Sequence, residues 1–395
     1  MKAQPAGPSG LAPDRALRFI LLLGVVSLLA DATYEGARSI TGPFLAVLGA
    51  SGTVVGIVAG LGELLGYGLR LVSGVIADRT RRYWILMIGG YFLNLLVVPL
   101  LALAGRWETA AALILAERIG KAVRTPARDA MLSHAVSQVG GGWGFGLHEA
   151  LDQMGATAGP LLVAAVVRAQ GEYRTAFAWL AIPAVLALLV LAAARHFYPQ
   201  PRELEAAPRG IQTKGLPRAY WIHVGATALV AAGYADFPLM AYHFERTGLV
   251  TPQAIALLYA LAMAVDAAAA LVLGRLFDRF GLVVLAVTAA VCAVFAPLVF
   301  LGGPGAVVAG MVLWGAGLGA QESVLRAAVG GMAPAGVRGT AYGIFNAGYG
   351  VFWFAGSALM GLLYDRSRAA LVSFSMTVQL AAAPAFLLAG RRARA

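Results

Sequence analysis

Long apolar runs separated by short polar turns make up almost the whole of this chain. A helix needs about 20 apolar residues to cross a hydrocarbon core about 30 Å thick, because each residue advances it by about 1.5 Å. Runs of that length predict twelve membrane-spanning helices. We number them spans 1 to 12, at residues 16–47, 53–77, 83–104, 108–135, 142–167, 174–197, 218–244, 251–276, 282–301, 305–332, 338–364 and 369–388.

The composition is that of a protein that crosses a membrane many times. Of the 395 residues, 60% are hydrophobic and 12% are charged, and the mean hydropathy is +0.77. These values exclude an ordinary soluble domain. The net charge of +11 would suggest nucleic-acid binding in a soluble protein, but here the basic residues cluster in short turns, and no base-reading module is present.

The distribution of basic residues predicts the orientation of the chain. Most Lys and Arg residues in the turns fall on the side that holds both termini. The positive-inside rule therefore predicts a multi-pass protein of the cell membrane with both termini in the cytoplasm. The single cysteine, Cys292, cannot form an internal disulfide and lies in an apolar run.

The middle of the chain divides it into two parts. A polar stretch rich in proline and glycine predicts a cytoplasmic linker at residues 198–217, between an N-terminal half at 1–197 and a C-terminal half at 218–395. The halves resemble each other: Gly74 to Arg79 is echoed by Gly274 to Arg279. This predicts an internal duplication, and transporters built from such repeats bind substrate near the midplane between them.

Span 4 carries many charges for a membrane helix. Glu117, Lys121, Arg124 and Arg128 fall on one face, because a helix turns about 100° per residue. A bare charge facing lipid costs several kcal/mol. We therefore expect this face to meet other helices or a water-filled cavity.

Further charges lie in spans that could contact span 4. Asp31, Glu35 and Arg38 share one face of span 1. The others are His148, Glu149 and Asp152 in span 5, Asp236 in span 7, and Glu322 and Arg326 in span 10. Their depths along the helices predict pairing of Asp152 with Arg124, and of Glu149 or His148 with Arg128.

Two interpretations of these charges stay open. They could be structural salt bridges between spans 4 and 5, or they could include a carboxylate that exchanges a proton while substrate binds. The candidate carboxylates are Asp31, Glu35, Glu149 and Asp152, and the candidates for binding an acidic group are Lys121, Arg124, Arg128 and Arg326. Glu63 and Arg70 in span 2 are predicted to be gating or packing elements, and Asp266 in span 8 a partner for a basic residue.

Catalytic motifs are missing from the sequence. It has no nucleophile elbow, HExxH segment or phosphate-binding loop, so we predict neither an enzyme nor a cofactor. His148, Glu149 and Asp152 lie close together, but no cysteine or second histidine is near them in sequence, and no metal site is predicted.

One turn resembles a signature of a known family. Between spans 2 and 3, Gly74, Asp78 and Arg79 stand in a spacing similar to motif A of the major facilitator superfamily, and Asp278 and Arg279 repeat it in the second half. The resemblance implies that these residues form a cytoplasmic gate. A carboxylate at a helix end can join a basic partner in one conformation and release it in another.

Span 5 carries a second resemblance. Gly146, Gly155, Gly159 and Pro160 have a spacing similar to motif C of the same superfamily, which is typical of its antiporters. Such glycines allow helices to approach closely, and the proline bends the helix by removing a backbone donor.

The resemblance covers essentially the whole chain. It implies an all-α membrane protein with the major facilitator fold, in which twelve transmembrane helices form two pseudo-symmetric six-helix halves and spans 1, 4, 7 and 10 line the cavity. It also implies a secondary transporter that works by alternating access, with a small-molecule substrate, protons and the lipid bilayer as partners and no nucleic acid. We expect a monomer.

The charges then suggest proton-coupled efflux of a small polar or amphipathic compound. Proton-driven uptake of an organic anion or zwitterion is the main alternative. Two further alternatives are metal-ion transport and a role as a membrane receptor that transports nothing.

Overall fold

Helices form almost all of the structure, a computed structural model that describes residues 13–139, 141–199, 215–334 and 337–394. No strand occurs within those ranges. The spans are Pro13–Val47, Gly52–Thr80, Tyr83–Leu100, Trp107–Val139, Gly141–Gln170, Tyr173–Trp179 with Ala181–Phe197, Arg218–Gly233 with Phe237–Thr247, Pro252–Phe280, Val283–Cys292 with Phe295–Phe300, Pro304–Gly319 with Leu325–Met332, Arg338–Arg366 and Arg368–Arg394. The all-α membrane fold predicted from the sequence is confirmed.

Ten of the spans in the described residues are long and apolar enough to cross a membrane. The other two are spans 4 and 10. Span 4 carries the charged stripe, and span 10 is interrupted by a π-helical segment at Ala320–Val324 that contains Glu322. Such π segments are frequent at functional sites. The two spans that depart from ordinary membrane helices are thus two of those expected to line the cavity.

The helix of span 7 is interrupted at Asp236, the charged residue that the sequence analysis identified in this span. Its first helix ends at Gly233 and its second begins at Phe237. Asp236 lies at the break with an extended backbone, and Pro238 follows in the first turn of the second helix, where a missing N–H is tolerated. The break places a carboxylate in the middle of the bundle.

Glycines bring spans 1 and 5 into backbone contact. A Cβ atom on Gly155 would lie 2.2 Å from the Leu28 carbonyl oxygen, and one on Gly159 would lie 2.2 Å from that of Ala32. The same contact recurs in the second half, where a Cβ on Gly356 would lie 2.0 Å from the Ala232 carbonyl oxygen. Gly159 and Gly356 therefore occupy equivalent places in the two halves.

Gly146 does not share this packing role. It is exposed, and a Cβ built on it would meet nothing within 4 Å. The motif-like spacing suggested a third packing glycine, but span 1 and span 5 approach most closely around Gly155 and Gly159. Pro160 lies inside the span 5 helix, directly after the second of these contacts.

The two halves are joined at the end of the bundle opposite the termini, which we call the distal end. The Asp365 carboxylate of span 11 accepts hydrogen bonds from the backbone N–H of Gly52 (2.9 Å) and of Thr53 (2.7 Å), and from the Thr53 hydroxyl (2.6 Å). Tyr173 donates to Glu245 of the other half at 2.5 Å. These contacts close the distal end.

We call the opposite end, where the described chain begins and ends, the terminal end. Four of its charged residues, in the part of the chain that the structure describes, do not join the two halves in the way that Asp365 does. Asp78, Arg79, Asp278 and Arg279 are all exposed there. Within the described ranges none of the four forms an ion pair. Most of the predicted linker at 198–217 lies outside the described residues.

We expect Gly159→Ala to destabilise the protein, whereas Gly146→Ala should not, because a methyl group at Gly146 meets no other atom and alanine favours a helix more than glycine does. A methyl group at Gly159 must push span 1 away from span 5, and overpacking of this kind costs about 1–3 kcal/mol. Thermal unfolding of the two variants in the same detergent measures the difference. Equal melting temperatures would show that the contact between spans 1 and 5 yields to a methyl group.

Candidate functional site

A cavity of about 60 Å³ lies between the two halves near the middle of the bundle. That volume holds a few water molecules. Spans 1, 2, 8, 10 and 11 supply its walls. Of the four spans that the resemblance implied, spans 1 and 10 line this cavity, whereas spans 4 and 7 are not among those that supply its lining residues. The lining residues are Glu35, Arg38, Glu63, Tyr67, Tyr259, Met263, Trp314, Leu318, Gln321, Glu322, Arg326, Phe345, Asn346, Tyr349 and Trp353.

Arg38 joins the two halves at this cavity. Its guanidinium lies 2.9 Å from Glu63 Oε1 in its own half and 3.4 Å from Asp236 Oδ1 in the other. Asp236 is almost fully buried and also accepts hydrogen bonds from the Trp353 indole (2.8 Å) and the Ser357 hydroxyl (2.6 Å). The interruption of the span 7 helix thus holds the Asp236 carboxylate in a fixed position next to Arg38.

Glu35 makes a second link between the halves, one helical turn before Arg38. One carboxylate oxygen lies 3.6 Å from Lys121 Nζ of span 4, and the other accepts a hydrogen bond from the Tyr259 hydroxyl of span 8 at 2.5 Å. Lys121 in turn lies over the Tyr34 ring, 3.8 Å from its centroid. The position of Glu35 is therefore set by contacts to both halves.

Asp31 is buried one turn further towards the terminal end. It accepts a hydrogen bond from the Tyr34 hydroxyl. It forms no ion pair among the described residues. Asp31 and Glu35 are thus held by different partners although they share one face of span 1.

Arg118 and Glu117 support the Arg38 link from span 4. Arg118 lies 3.6 Å from Glu63 and 3.2 Å from Glu117, and the Asn94 amide donates to Glu117 at 2.6 Å. Glu63 therefore faces two arginines. Arg118 is not one of the four residues on the charged face of span 4, but its long side chain reaches Glu63.

Arg124 lies among aromatic rings. It is 1% exposed, and its guanidinium carbon lies 4.2 Å from the centroid of the Tyr91 ring and 5.6 Å from that of Tyr34. Its Nε and one terminal nitrogen have no hydrogen-bond partner. The pairing of Arg124 with Asp152 expected from depth along the helices is wrong. The tyrosine rings take the place of the carboxylate, through cation–π contact.

Asp152 lies beside Arg128. The nearest atoms of that pair are 3.6 Å apart, and Arg128 also contacts Asp129 (2.9 Å) and the Ser27 hydroxyl (3.1 Å). His148 is 3.6 Å from Asp152 and 3.2 Å from Ser27 Oγ. This cluster joins spans 1, 4 and 5 within the N-terminal half, the arrangement expected of structural salt bridges.

The other charged residues predicted from the sequence lie in three different places. Glu322 and Arg326 line the cavity but form no ion pair among the described residues. Glu149 is exposed and lines a groove between spans 5 and 8. It forms no ion pair with Arg128, whose carboxylate partners are Asp129 and Asp152. Asp266, expected to have a basic partner, is buried with one oxygen unpaired.

The sequence did not predict the aromatic residues that line the cavity. Tyr259, Trp314 and Trp353 lie in the C-terminal half, where they surround the charged links, and Tyr67 meets Tyr349 edge to face at 5.2 Å between ring centroids. Aromatic residues in membrane helices have many roles, so their spacing alone carried no signal. Glu63, predicted to be a gating or packing residue, pairs with Arg38 at the cavity.

Comparisons with known proteins agree with this architecture. The family model of the Major Facilitator Superfamily matches residues 23–357 and 219–393. The uncharacterised protein Rv2265 of Mycobacterium tuberculosis is 44% identical over 374 residues, which are 93% of this chain and 91% of that protein. The uncharacterised MFS-type transporter MJ1317 of Methanocaldococcus jannaschii is 27% identical over 256 residues, 62% of this chain and 64% of that one.

Solved structures share the fold. A POT family transporter in complex with a thioalcohol-conjugated peptide superposes with a TM-score of 0.78 at 13% identity, over 96% of this chain and 97% of that one. A bacterial homologue of the human lysosomal transporter Spinster, in an inward-facing and occupied conformation, gives 0.73 at 16% identity, over 97% and 98%. The chain belongs to the major facilitator superfamily, whose members of this fold are secondary transporters.

Proposed function

We propose that this transporter exports a small polar or amphipathic compound across the cell membrane in exchange for protons. One observation carries the proposal: the two links that join the halves at the cavity, from Arg38 to Asp236 and from Tyr259 to Glu35, each include a carboxylate. A carboxylate can gain or lose a proton, whereas arginine remains charged. Proton binding therefore changes the contacts that hold the halves together.

The coupling step follows from this chemistry. When Glu35 takes up a proton, its attraction to Lys121 disappears, and the hydrogen bond with Tyr259 becomes one between neutral groups, which is the weaker kind. The same holds for Asp236 and Arg38. Weakening a link between the halves lowers the cost of separating them, so protonation favours one access state over the other.

The polar groups of the cavity suggest a substrate that carries charge. Glu322 and Arg326 line the cavity without an ion-pair partner in the described part of the chain, and Asn346 adds an amide. The aromatic walls suit an apolar moiety. A compound with a charged end and an apolar body would satisfy both.

Access to the cavity would alternate between the two ends. The distal end is closed through Asp365, while Asp78, Arg79, Asp278 and Arg279 lie exposed at the terminal end. We propose that these four residues, with Gly74 allowing helix approach, close the cytoplasmic side in the opposite conformation. The close contacts of Gly155 and Gly159 with span 1 support the resemblance to antiporters and hence exchange.

Uptake of an organic anion or zwitterion is the second candidate. Arg326 faces the cavity and has no carboxylate within ion-pair distance in the described ranges, so it could receive an acidic group. Transport direction and substrate charge distinguish the two candidates.

We expect Glu35→Gln to abolish the coupling of protons to substrate, because an amide cannot titrate. Substrate-driven proton movement should fall about tenfold or more. Purified protein in liposomes containing a pH-sensitive dye, challenged with a panel of cationic, zwitterionic and anionic compounds, provides the measurement. Glu108→Gln is the matched control, because Glu108 is exposed and forms its ion pair within the described residues with the nearby Arg106. Full proton flux in Glu35→Gln would rule out Glu35 as a coupling residue.

Arg38→Lys should slow transport although it keeps the positive charge. One terminal nitrogen of Arg38 makes both contacts, and the compact, more strongly hydrated ammonium of a lysine would not reproduce them at this buried position. We expect the transport rate to fall about tenfold, the equivalent of about 1.4 kcal/mol. Arg106→Lys, an exposed arginine also paired with a carboxylate, provides the control. Equal rates in the two variants would mean that Arg38 acts only as a point charge.

A further inference from the structure

A groove of about 670 Å³ runs between spans 5 and 8, where the two halves meet on the outer face of the bundle. Met154 and Leu161 on one wall and Leu271 on the other are 60%, 47% and 65% exposed, so the groove opens towards the lipid. From Gly146 to Leu161 it follows span 5 for about 22 Å. Its length and apolar walls suit an alkyl chain.

Small residues keep the groove open. Ala150 and Ala158 on span 5 face Ala267 and Ala270 on span 8. Side chains of this size leave space between helices that larger ones would fill. Because span 5 belongs to one half and span 8 to the other, the width of the groove depends on how the halves are placed, and it changes when they move.

The polar side chains that line the groove are Glu149, Gln153 and Thr157, and Glu149 is the charged one among them. Glu149 lines it, is exposed, and forms no ion pair within the described residues. Gln153 donates to Glu149 at 3.4 Å, and its own carbonyl oxygen is buried without a donor. No basic residue is among those that line the groove.

Asp266 lies further inside the bundle than the polar side chains of the groove. It precedes the groove residue Ala267, is 2% exposed, and its Oδ1 atom has no hydrogen-bond partner. The Gln153 side chain of the groove forms a hydrogen bond with it, and both Glu149 and Glu322, which lines the central cavity, are near enough to interact with it electrostatically. The acceptors therefore lead from the lipid-facing groove to the cavity. An unpaired carboxylate facing lipid costs several kcal/mol, and a cation at Glu149 would remove that cost.

We propose that this groove is the entry site for a cationic amphiphile, an amine with an alkyl or aromatic tail, which reaches the cavity from the bilayer. The amine would lie between Glu149 and Gln153, and the tail would lie along Met154, Leu161 and Leu271. This inference rests on the proposed transport of an amphipathic compound and specifies its charge and its route.

Photocrosslinking tests this entry site in the full-length protein in nanodiscs of phosphatidylcholine. The probe is an alkylamine with a photoreactive diazirine in its chain, and the matched probe has the same chain ending in a carboxylate. Mass spectrometry locates the adducts. We expect the amine to label the segments around Met154 and Leu271 saturably, about tenfold more than the carboxylate, and unlabelled alkylamine to compete.

Glu149→Gln should lower labelling of the groove by the amine about tenfold, and Glu108→Gln should not. An unchanged melting temperature of Glu149→Gln would show that the loss does not come from unfolding. Equal, non-saturable labelling by both probes would mean that the groove holds ordinary lipid, and this would overturn the proposal, as would full labelling of Glu149→Gln. The proton-flux assay with Glu35→Gln is independent, so proton coupling could stand even if the groove binds no amine.

Discussion

The ion pair of Arg38 with carboxylates from both halves is the interaction on which the centre of this transporter depends. An arginine in the middle of a membrane protein is costly unless its partners compensate it, and leaving it unpaired costs more than the pair contributes. Glu63 belongs to the same half as Arg38, whereas Asp236 belongs to the other. A movement that separates the halves must therefore replace Asp236 by water, substrate or another residue. The requirement to keep Arg38 compensated restricts which conformations are accessible.

Glycines pack helices closely within each half and also between the halves, where a Cβ atom on Gly42 of span 1 would lie 1.9 Å from the Pro238 carbonyl oxygen of span 7. Spans 1 and 5 touch through backbone atoms at Gly155 and Gly159, and Gly356 brings spans 7 and 11 together in the same way. Close-packed contacts of this kind allow little sliding. Contacts around the cavity depend instead on hydrogen bonds and charges that protons and substrates can alter. The boundary between the halves is thus close-packed where such glycines meet it and adjustable around the cavity.

The sequence was sufficient for the fold and for only part of the site. Apolar runs predicted the spans because the thickness of the bilayer fixes their length, and the i, i+4, i+7 spacing correctly placed Glu35 and Arg38 on one face of span 1. Contacts between distant spans could not be predicted in this way. Arg124 meets tyrosine rings where Asp152 was expected, since helix rotation and side-chain reach decide the partner. Gly146 followed the motif spacing but lies away from the close contact of the helices.

The Asp365 contacts have a consequence for the kinetics of the transport cycle. Opening the distal end breaks the three hydrogen bonds of Asp365 and that of Tyr173 with Glu245. The Asp365 bonds alone contribute about 1 kcal/mol each, and a net bias of about 3 kcal/mol would leave less than about 1% of empty carriers facing that side. The apparent affinity of a ligand falls in proportion to the population of the state that binds it. Seen from the distal side, the empty carrier would be a poor receptor even with an unchanged binding site, so substrate released there would rarely be recaptured. Contacts that close one end can in this way make the apparent affinity for substrate differ between the two sides of the membrane.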